Sequence, residues 1–451
     1  MASEPLLTLN AYDKTFKWQQ EISGLQSATV RPKLNSLGTA DFEVAADDPV
    51  NGWLQQKGAR VQCTYRGVRE VGGPVRLKTL GLLRGDTNTY SIEDDWRILV
   101  NTLAWIVPLA GGYSQGKLDA QSLSDVAQAV VTVAPSPGVD AGYGAYVFDS
   151  GTTAAETAIK ELVRKNLVQR LGRPVAIATD QQRGGNAFAA GKLPVLRFDT
   201  IADGIAALLA WSGLALDVTQ IDGQGFGLDV YQPTPFPQVL TRDSGNITKG
   251  TATLTPPTAT RAVVGGPGDD TARAWMGVSD LTREADYGDI IEVLKDASGA
   301  NLNWPSSLAT TYQVAKYYAL RSEVAASDAA AFLAAMTAAG NEALADGQPT
   351  SGLALELAET DSFHYGGSDG VRLGAPITAE AASATYTPEG VQLSPAIKLT
   401  SPVTEAEITL DHDSGVQCKT IVGQRADDPD QELADAIASV QRALRRQAGR
   451  K

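Results

Sequence analysis

The order of elements between Gly38 and Gly85 constrains this chain more than its composition does. Gly38-Thr39 reads as a turn, after which Phe42 and Val44 alternate with polar neighbours as in a half-buried strand. Asp47-Asp48-Pro49 follows, an acidic N-cap with proline where the first helical turn needs no N–H. Val50, Trp53 and Leu54 then fall on one helical face as core residues, and Lys57-Gly58 closes a helix of about two turns. Val61, Cys63 and Tyr65 resume a period of two, and Val75 to Leu83 predicts a further strand ending at Arg84-Gly85. Strand, short helix and strand pair together predict a compact β-barrel with one helical strap.

The totals bound the rest. At 451 residues the expectation is about three domains of roughly 150 residues each. Hydrophobic content of 43% with 20% charged residues fits globular domains that bury their own cores. Cys63 and Cys418 stand far apart with no Cys/His cluster, so no zinc site is expected, and the spacing leaves open whether the two pair. No secretory signal is read in the first residues, which lack a basic and an apolar region. The most apolar window, Ile98 to Ala110, is broken by Asn101, Thr102 and Pro108 and is short of the ~20 residues that span a bilayer. A net charge of −14 disfavours sequence-independent binding to phosphate backbones.

Further along, residues 111–151 are rich in Gly, Ala, Ser and Pro and suit a long connection or small insertion. Thr153 to Leu171 predicts a helix with Ile159, Leu162 and Val163 inward, Glu156 and Lys160 as an i,i+4 pair, and Gly172 as its stop. Asp199 or Thr200 caps a second helix that Gly213 ends, and strands Leu214–Val218 and Gly227–Tyr231 flank the turn Asp222-Gly223-Gln224-Gly225. From about Thr251 strands return, at Arg261–Val264 and Ile290–Val293, followed by an alanine-rich helix Ser327–Ala345 and alternating Leu353, Leu355 and Leu357. A final helix begins at Asp428-Pro429, with Leu433, Ile437, Val440 and Leu444 at 4-3-4 spacing. That seam serves either a helix docked on its own domain or a bundle around an oligomer axis. It is the one interface expectation the sequence supports.

Candidate chemistry is sparse. Gly111 to Lys117 matches the start of a phosphate-binding loop, but Leu118 stands where a Ser or Thr hydroxyl is needed. Asp149-Ser150-Gly151 resembles an aspartic-peptidase loop, a chemistry that needs two such aspartates sharing a proton. Asp243-Ser244-Gly245 and Asp413-Ser414-Gly415 lack the flanking pattern and read as turns. His364 and His412 have no nucleophile context, and Asp411-His412-Asp413 puts neighbours on opposite strand faces. Gly223, Gly225 and Gly227 are spaced too closely for a dinucleotide fingerprint. Trp18, Trp53, Trp96, Trp105, Trp211, Trp275 and Trp304 sit in apolar contexts that suit core better than a sugar platform. No catalytic, metal or cofactor site is expected.

The run from Ala40 to Gly67 and then Val75 to Gly85 resembles the N-terminal domain of tail-hub (minor tail) proteins of long-tailed bacteriophages. Val263 to Gly268, Tyr365-Gly366 and Leu373-Gly374 resemble the second half of the same group, with Ala375 where relatives often carry Asp. The resemblance implies a β-rich α+β protein with two small tube-type barrels at 1–105 and 246–410. Between them lies an α+β insertion at 106–245, and a tail helix occupies 411–451. It further implies a homotrimer forming a tail-tip ring in the virion that meets distal tail, tip and tape-measure proteins, with the host envelope as a further contact. Alternatives are a tail-associated peptidase or cell-wall hydrolase using Asp149, and a glycan-binding adhesin using the tryptophans.

Overall fold

A computed structural model describes residues 6–83, 85–104, 146, 148, 154–190, 192–194, 196, 199–266, 275–297, 326–382, 385–386, 392–394, 396–411 and 414–423. They divide into a larger unit, residues 1–251 with 353–451, and a smaller one, residues 252–352.

The larger unit begins with β1 (Leu7–Tyr12), β2 (Trp18–Glu21), β3 (Leu25–Arg31) and β4 (Thr39–Ala45). In β4 the alternation is as read: Ala40, Phe42 and Val44 point inward. The strap α1 is a single turn, Asn51–Leu54, shorter than the spacing predicts. Asp48 does not cap it as an N-cap residue but accepts from the Val50 N–H at 2.8 Å, and Gly58 takes the expected left-handed φ of 80°. Val50 and Leu54 are buried, whereas Trp53 is 37% exposed, because one turn has room for only two residues on the core side.

Strands β5 (Arg60–Tyr65), β6 (Val68–Thr79) and β7 (Thr87–Glu93) follow. Arg66 and Gly67 both adopt positive φ, as a two-residue hairpin loop between β5 and β6 requires. The first half of β6 pairs with β5 and the second with β7, and the strand passes between partners at Gly72-Gly73-Pro74. A Cβ on Gly73 would stand 1.7 Å from the Glu93 carbonyl oxygen, so only glycine permits that crossing. The strand stops at Thr79, and Leu80 to Leu83 lie in the β6–β7 connection.

A short helix α2 (Arg97–Val100) comes next. Helix α3 (Ala155–Val163) continues as a wider turn, Arg164–Arg170, up to Gly172 at φ 60°. Strand β8 (Val175–Ile177) precedes α4 (Ile201–Ser212), where Thr200 forms a capping box with Asp203 and Gly213 is left-handed. Strands β9 (Ala215–Ile221) and β10 (Gly225–Tyr231) form an antiparallel hairpin, with β8 parallel to β10. Ile159, Leu162, Ile205, Leu208, Leu216 and Leu228 belong to one core here.

Strands β11 (Val239–Leu240) and β12 (Ile247–Thr255) carry the chain onward. In the smaller unit β13 (Arg261–Gly265) lies between antiparallel β14 (Trp275–Ser279) and parallel β15 (Glu292–Asp296). The last strand starts two residues later and ends three residues later than the predicted Ile290–Val293. Helix α5 (Leu281–Tyr287) is capped by Asp280, and α6 (Ala326–Asp346) packs Phe332 and Met336 on Ala262, Val264 and Val278.

The chain then returns to the larger unit through β16 (Thr350–Ala358), β17 (Pro376–Ala382), the short pair β18 (Thr385–Tyr386) and β19 (Gln392–Ser394), β20 (Ile397–Asp411) and β21 (Gly415–Val422). The path β12-β16-β21-β20-β3-β4-β7-β6-β5-β1-β2 is one continuous sheet, which β11 and β17 join through β20. No closed barrel forms among the described residues. Instead of two separate barrels, Ser27–Val30 of β3 pair antiparallel with Ile408–Asp411 of β20, and both sets of strands share one core. Alternation fixes which face of a strand is buried but not which strand lies beside it.

Cys63 and Cys418 are both buried and free. Leu433, Ile437, Val440 and Leu444 lie outside the described residues, as do the Gly111–Lys117 loop, Asp149, His412 and Asp413. No described helix is long and apolar enough to cross a membrane.

Candidate functional site

Asp243-Ser244-Gly245 forms a local turn, while Asp149-Ser150-Gly151 lies outside the described residues. Ser244 Oγ donates to the Thr241 carbonyl at 2.6 Å and Gly245 is left-handed, while Asp411 accepts from the Ser414 N–H at 3.2 Å. His364 Nε2 lies 3.3 Å from Asp369 Oδ1 in the loop after β16. Gly223 and Gly225 shape the β9–β10 hairpin. Of the described tryptophans only Trp96 is buried; Trp18, Trp53, Trp211 and Trp275 are exposed at separate places, contrary to the expectation of core. Among the described residues no group of three or more His, Cys, Asp or Glu is arranged to hold a metal ion.

What the sequence did not signal is a pair of polar clamps within the larger unit. In the first, buried Arg60 at the start of β5 donates through Nε to Gln220 Oε1 of β9 at 2.7 Å and through its terminal nitrogen to Asp95. Its guanidinium also lies 4.4 Å from the Phe16 ring centroid and 5.5 Å from that of Phe226. Burial pushes the Asp95 carboxyl up to about 6, although Arg60 opposes the shift.

The second clamp joins the β5–β6 hairpin to the loop after β16. Glu359 accepts from Tyr65 Oη at 3.1 Å, from Arg66 at 2.9 Å and from the Tyr365 N–H at 3.0 Å. The Tyr65 and Tyr365 rings stack with centroids 6.4 Å apart. Tyr365 Oη donates to Glu70 Oε2 at 2.7 Å. The loop can present Tyr365 because Gly366 and Gly367 take positive φ and Gly370 approaches the Gly366 carbonyl too closely for any Cβ. Tyr365-Gly366 and Leu373-Gly374, both singled out in the sequence, are the anchor points of this loop.

Strands β9 and β10 reach the same clamp. Arg372 lies 3.5 Å from Asp217 of β9 and 5.3 Å from the Tyr231 ring centroid of β10, while Tyr231 Oη donates to the Leu373 carbonyl at 3.2 Å. Burial raises Glu70 to about 8, a shift that the Tyr365 hydrogen bond opposes and the Asp217 charge reinforces. Burial likewise raises Asp217 to about 6 against the pull of Arg372, and raises Asp94, which Asp95 also repels. Of these carboxyls Glu70 stays largely neutral at pH 7, whereas Asp95 and Asp217, near 6, are mostly ionised there and pair with Arg60 and Arg372.

Glu156 and Lys160 of α3, at the i,i+4 spacing read in the sequence, form a fully buried pair at 2.6 Å. Arg183 Nε and the Arg183 and Gln181 N–H groups also bond Glu156, at 2.9, 3.0 and 3.2 Å. Burial alone would raise Glu156, but these bonds outweigh it and hold the carboxyl near 2. The partners of these charged groups lie within the chain, so the arrangement joins elements rather than activating a nucleophile. An open hollow of about 340 Å³ over β8–β10, with Asp217 and Asp229 on its wall, adds no catalytic base–nucleophile pair.

Residues 131–424 match the family described as Siphovirus ReqiPepy6 Gp37-like protein. No curated protein matches the chain. Among solved structures, the chain is similar to the 43 kDa tail protein of prophage MuSo2 from Shewanella oneidensis, at 12% identity over 92% of this chain and 97% of that one, with a TM-score of 0.41. It is also similar to a tail protein from Neisseria meningitidis MC58, at 11% identity over 94% and 96%, with a TM-score of 0.43. A third is prophage tail protein gp18 from Listeria monocytogenes EGD-e, at 9% identity over 96% and 99%, with a TM-score of 0.43.

Proposed function

The chain belongs to the Siphovirus ReqiPepy6 Gp37-like protein family, and from that premise we propose that it is a non-enzymatic structural protein of a long-tailed phage tail. Family membership over residues 131–424 carries this reading, and the order of elements from Gly38 to Gly85 supports it from outside the matched region. The finer proposal is a homotrimeric tail-tip hub in contact with distal tail, tip and tape-measure proteins. Residues 1–105 and 246–410 would be its ring-forming parts, 106–245 its peripheral insertion and 411–451 its tail segment. Internal clamps that consume their own charges suit a part whose work is shape. A net charge of −14 suits a conduit wall that DNA must cross without adhering.

Immunogold labelling of virions tests the reading at two levels. Label at the distal end of the tail is expected. Label along the tail shaft sinks the hub role, and absence from purified virions sinks the structural role altogether. Light scattering on the purified chain is expected to give a trimer at high concentration.

A further inference from the structure

A hollow of about 270 Å³ opens between the β1–β2 loop and the strap, with Asp13, Lys14 and Thr15 on one wall and Trp53, Gln56 and Lys57 on the other. Both walls are fixed before any ligand arrives. Asp13 Oδ1 accepts from the Thr15 N–H at 2.8 Å, the Thr15 hydroxyl at 2.6 Å and the Lys17 N–H at 3.1 Å. Its Oδ2 accepts from Gln19 Nε2 at 3.1 Å. Across the hollow, Gln56 Nε2 donates to the Gly52 carbonyl at 3.1 Å, and the Gln56 carbonyl accepts from Lys78 Nζ at 3.1 Å. The walls meet at Gly58, where a Cβ would stand 2.9 Å from the Lys14 Cβ.

The groups on these walls divide into engaged and free. Asp13, the one acid of the lining, is occupied by donors of its own loop, and the Thr15 bond leads in holding its carboxyl below the usual range. Lys14 and Lys57 are exposed, and neither ammonium has a hydrogen-bond or ion-pair partner among the described residues. Trp53 stands 37% exposed between these cations and Gly52, where nothing lies within 4 Å of the place of a Cβ. An indole left in the open on a polar hollow is an apolar platform with no layer over it. On a chain of net charge −14, two free cations beside that platform are a local reversal of sign.

We propose that this hollow binds a single pyranose ring carrying one anionic group, a carboxylate or a phosphate. The apolar C–H face of the sugar lies on the Trp53 indole, and the anion meets Lys14 and Lys57. Sugar hydroxyls donate to Gln56 Oε1 and to the Thr15 oxygen, which keeps a lone pair free after donating to Asp13. Size and charge select this ligand over a nucleic-acid strand. The volume falls just below the range of about 300–1,000 Å³ that holds larger ligands. A single aromatic ring offers no second platform for a stacked base, and the net charge opposes a polyanion. Such binding is an activity beyond the structural role proposed above and does not depend on it.

Saturation-transfer NMR on the full chain tests it, with D-glucuronate, glucose-6-phosphate and glucose as probes. Glucuronate or glucose-6-phosphate is expected to bind with a Kd of about 1 mM, at least about fivefold tighter than glucose. Which of the two binds separates a uronate site from a sugar-phosphate site. No preference over glucose overturns the proposal, and so does inorganic phosphate competing as well as the charged sugars. Trp53→Ala is expected to weaken binding at least about tenfold, the effect of losing an aromatic anchor, whereas Trp53→Tyr keeps a platform and most of the affinity. Lys14→Gln with Lys57→Gln is expected to bring the charged sugars down to the level of glucose. These lysines are exposed, so the pair decides the matter even where Trp53→Ala fails to fold. Unchanged binding in the folded variants overturns the site, as does tighter binding of oligothymidylate than of either charged sugar.

Discussion

Tyr365 Oη donates to Glu70 Oε2 across 2.7 Å, tying together two residues that lie 295 positions apart in the chain. The bond closes the clamp between the β5–β6 hairpin and the loop that follows β16. Its pH behaviour follows from the direction of the shifts around it. Glu70 is raised from 4.5 to about 8 and Asp217 from 3.8 to about 6, so the folded state holds protons that the unfolded chain releases. Their contribution to stability is whole below about pH 4 and is lost as pH rises toward 8. Glu70→Gln is therefore expected to flatten the fall in Tm between pH 5 and 9 and to raise Tm at pH 9. An unchanged slope in scanning calorimetry would remove Glu70 as its source.

Glu156 has the opposite sign. Lowered to about 2, it contributes stability above its ordinary range and loses it as pH falls from about 4.5 toward 2. Glu156→Ala leaves Lys160 buried without its partner and is expected to cost about 3–5 kcal/mol in urea unfolding at pH 7. Glu156→Leu combined with Lys160→Met is expected to cost less than the single change, because no buried ammonium is left without its carboxylate, while the loss to Arg183 and the Gln181 N–H is common to both. A double variant as unstable as the single would refute that account.

Asn51 is the polar centre of the strap. Its Nδ2 donates to the carbonyls of Ala45 and Asp48, both at 2.9 Å, and its Oδ1 accepts from Asn88 at 2.9 Å and Tyr90 Oη at 2.6 Å. Asn51→Ala is expected to cost about 3 kcal/mol, since it leaves several buried groups without partners. Trp53→Ala, two residues on and 37% exposed, is expected to cost less. Equal losses in chemical denaturation would contradict this ranking.

At Gly73 even alanine meets the Glu93 carbonyl oxygen at 1.7 Å. Gly73→Ala is expected to destabilise by about 2 kcal/mol or more. The neighbouring strands β6 and β7 should show faster amide exchange in the variant. Wild-type exchange and stability would mean that the crossing relaxes freely.

Burial pushes the Cys63 and Cys418 thiols up. Neither is expected to react with a thiol reagent in the folded protein at pH 8, and both should react in denaturant. Rapid native labelling of either would show that its cover opens.

Local chemistry made several elements legible in the sequence. Phe42 and Val44 alternate because one face of β4 is buried, Thr200 and Gly213 bound α4 because its ends need those hydrogen bonds and that φ, and Leu353, Leu355 and Leu357 mark an inward face. The phage resemblance was likewise readable, because order of elements survives where single residues drift. Partnership was not. A period of two does not say that Thr29 will pair with Thr409, so the expected pair of barrels became one continuous sheet. The clamps were hidden for the same reason: Arg60, Glu70 and Asp217 are charged residues on strands, which alternation assigns to solvent. Only tertiary packing, by laying the insertion and the Tyr365 loop over those positions, takes them out of water. Local propensity is a property of neighbours in the chain, whereas desolvation and pairing belong to neighbours in space.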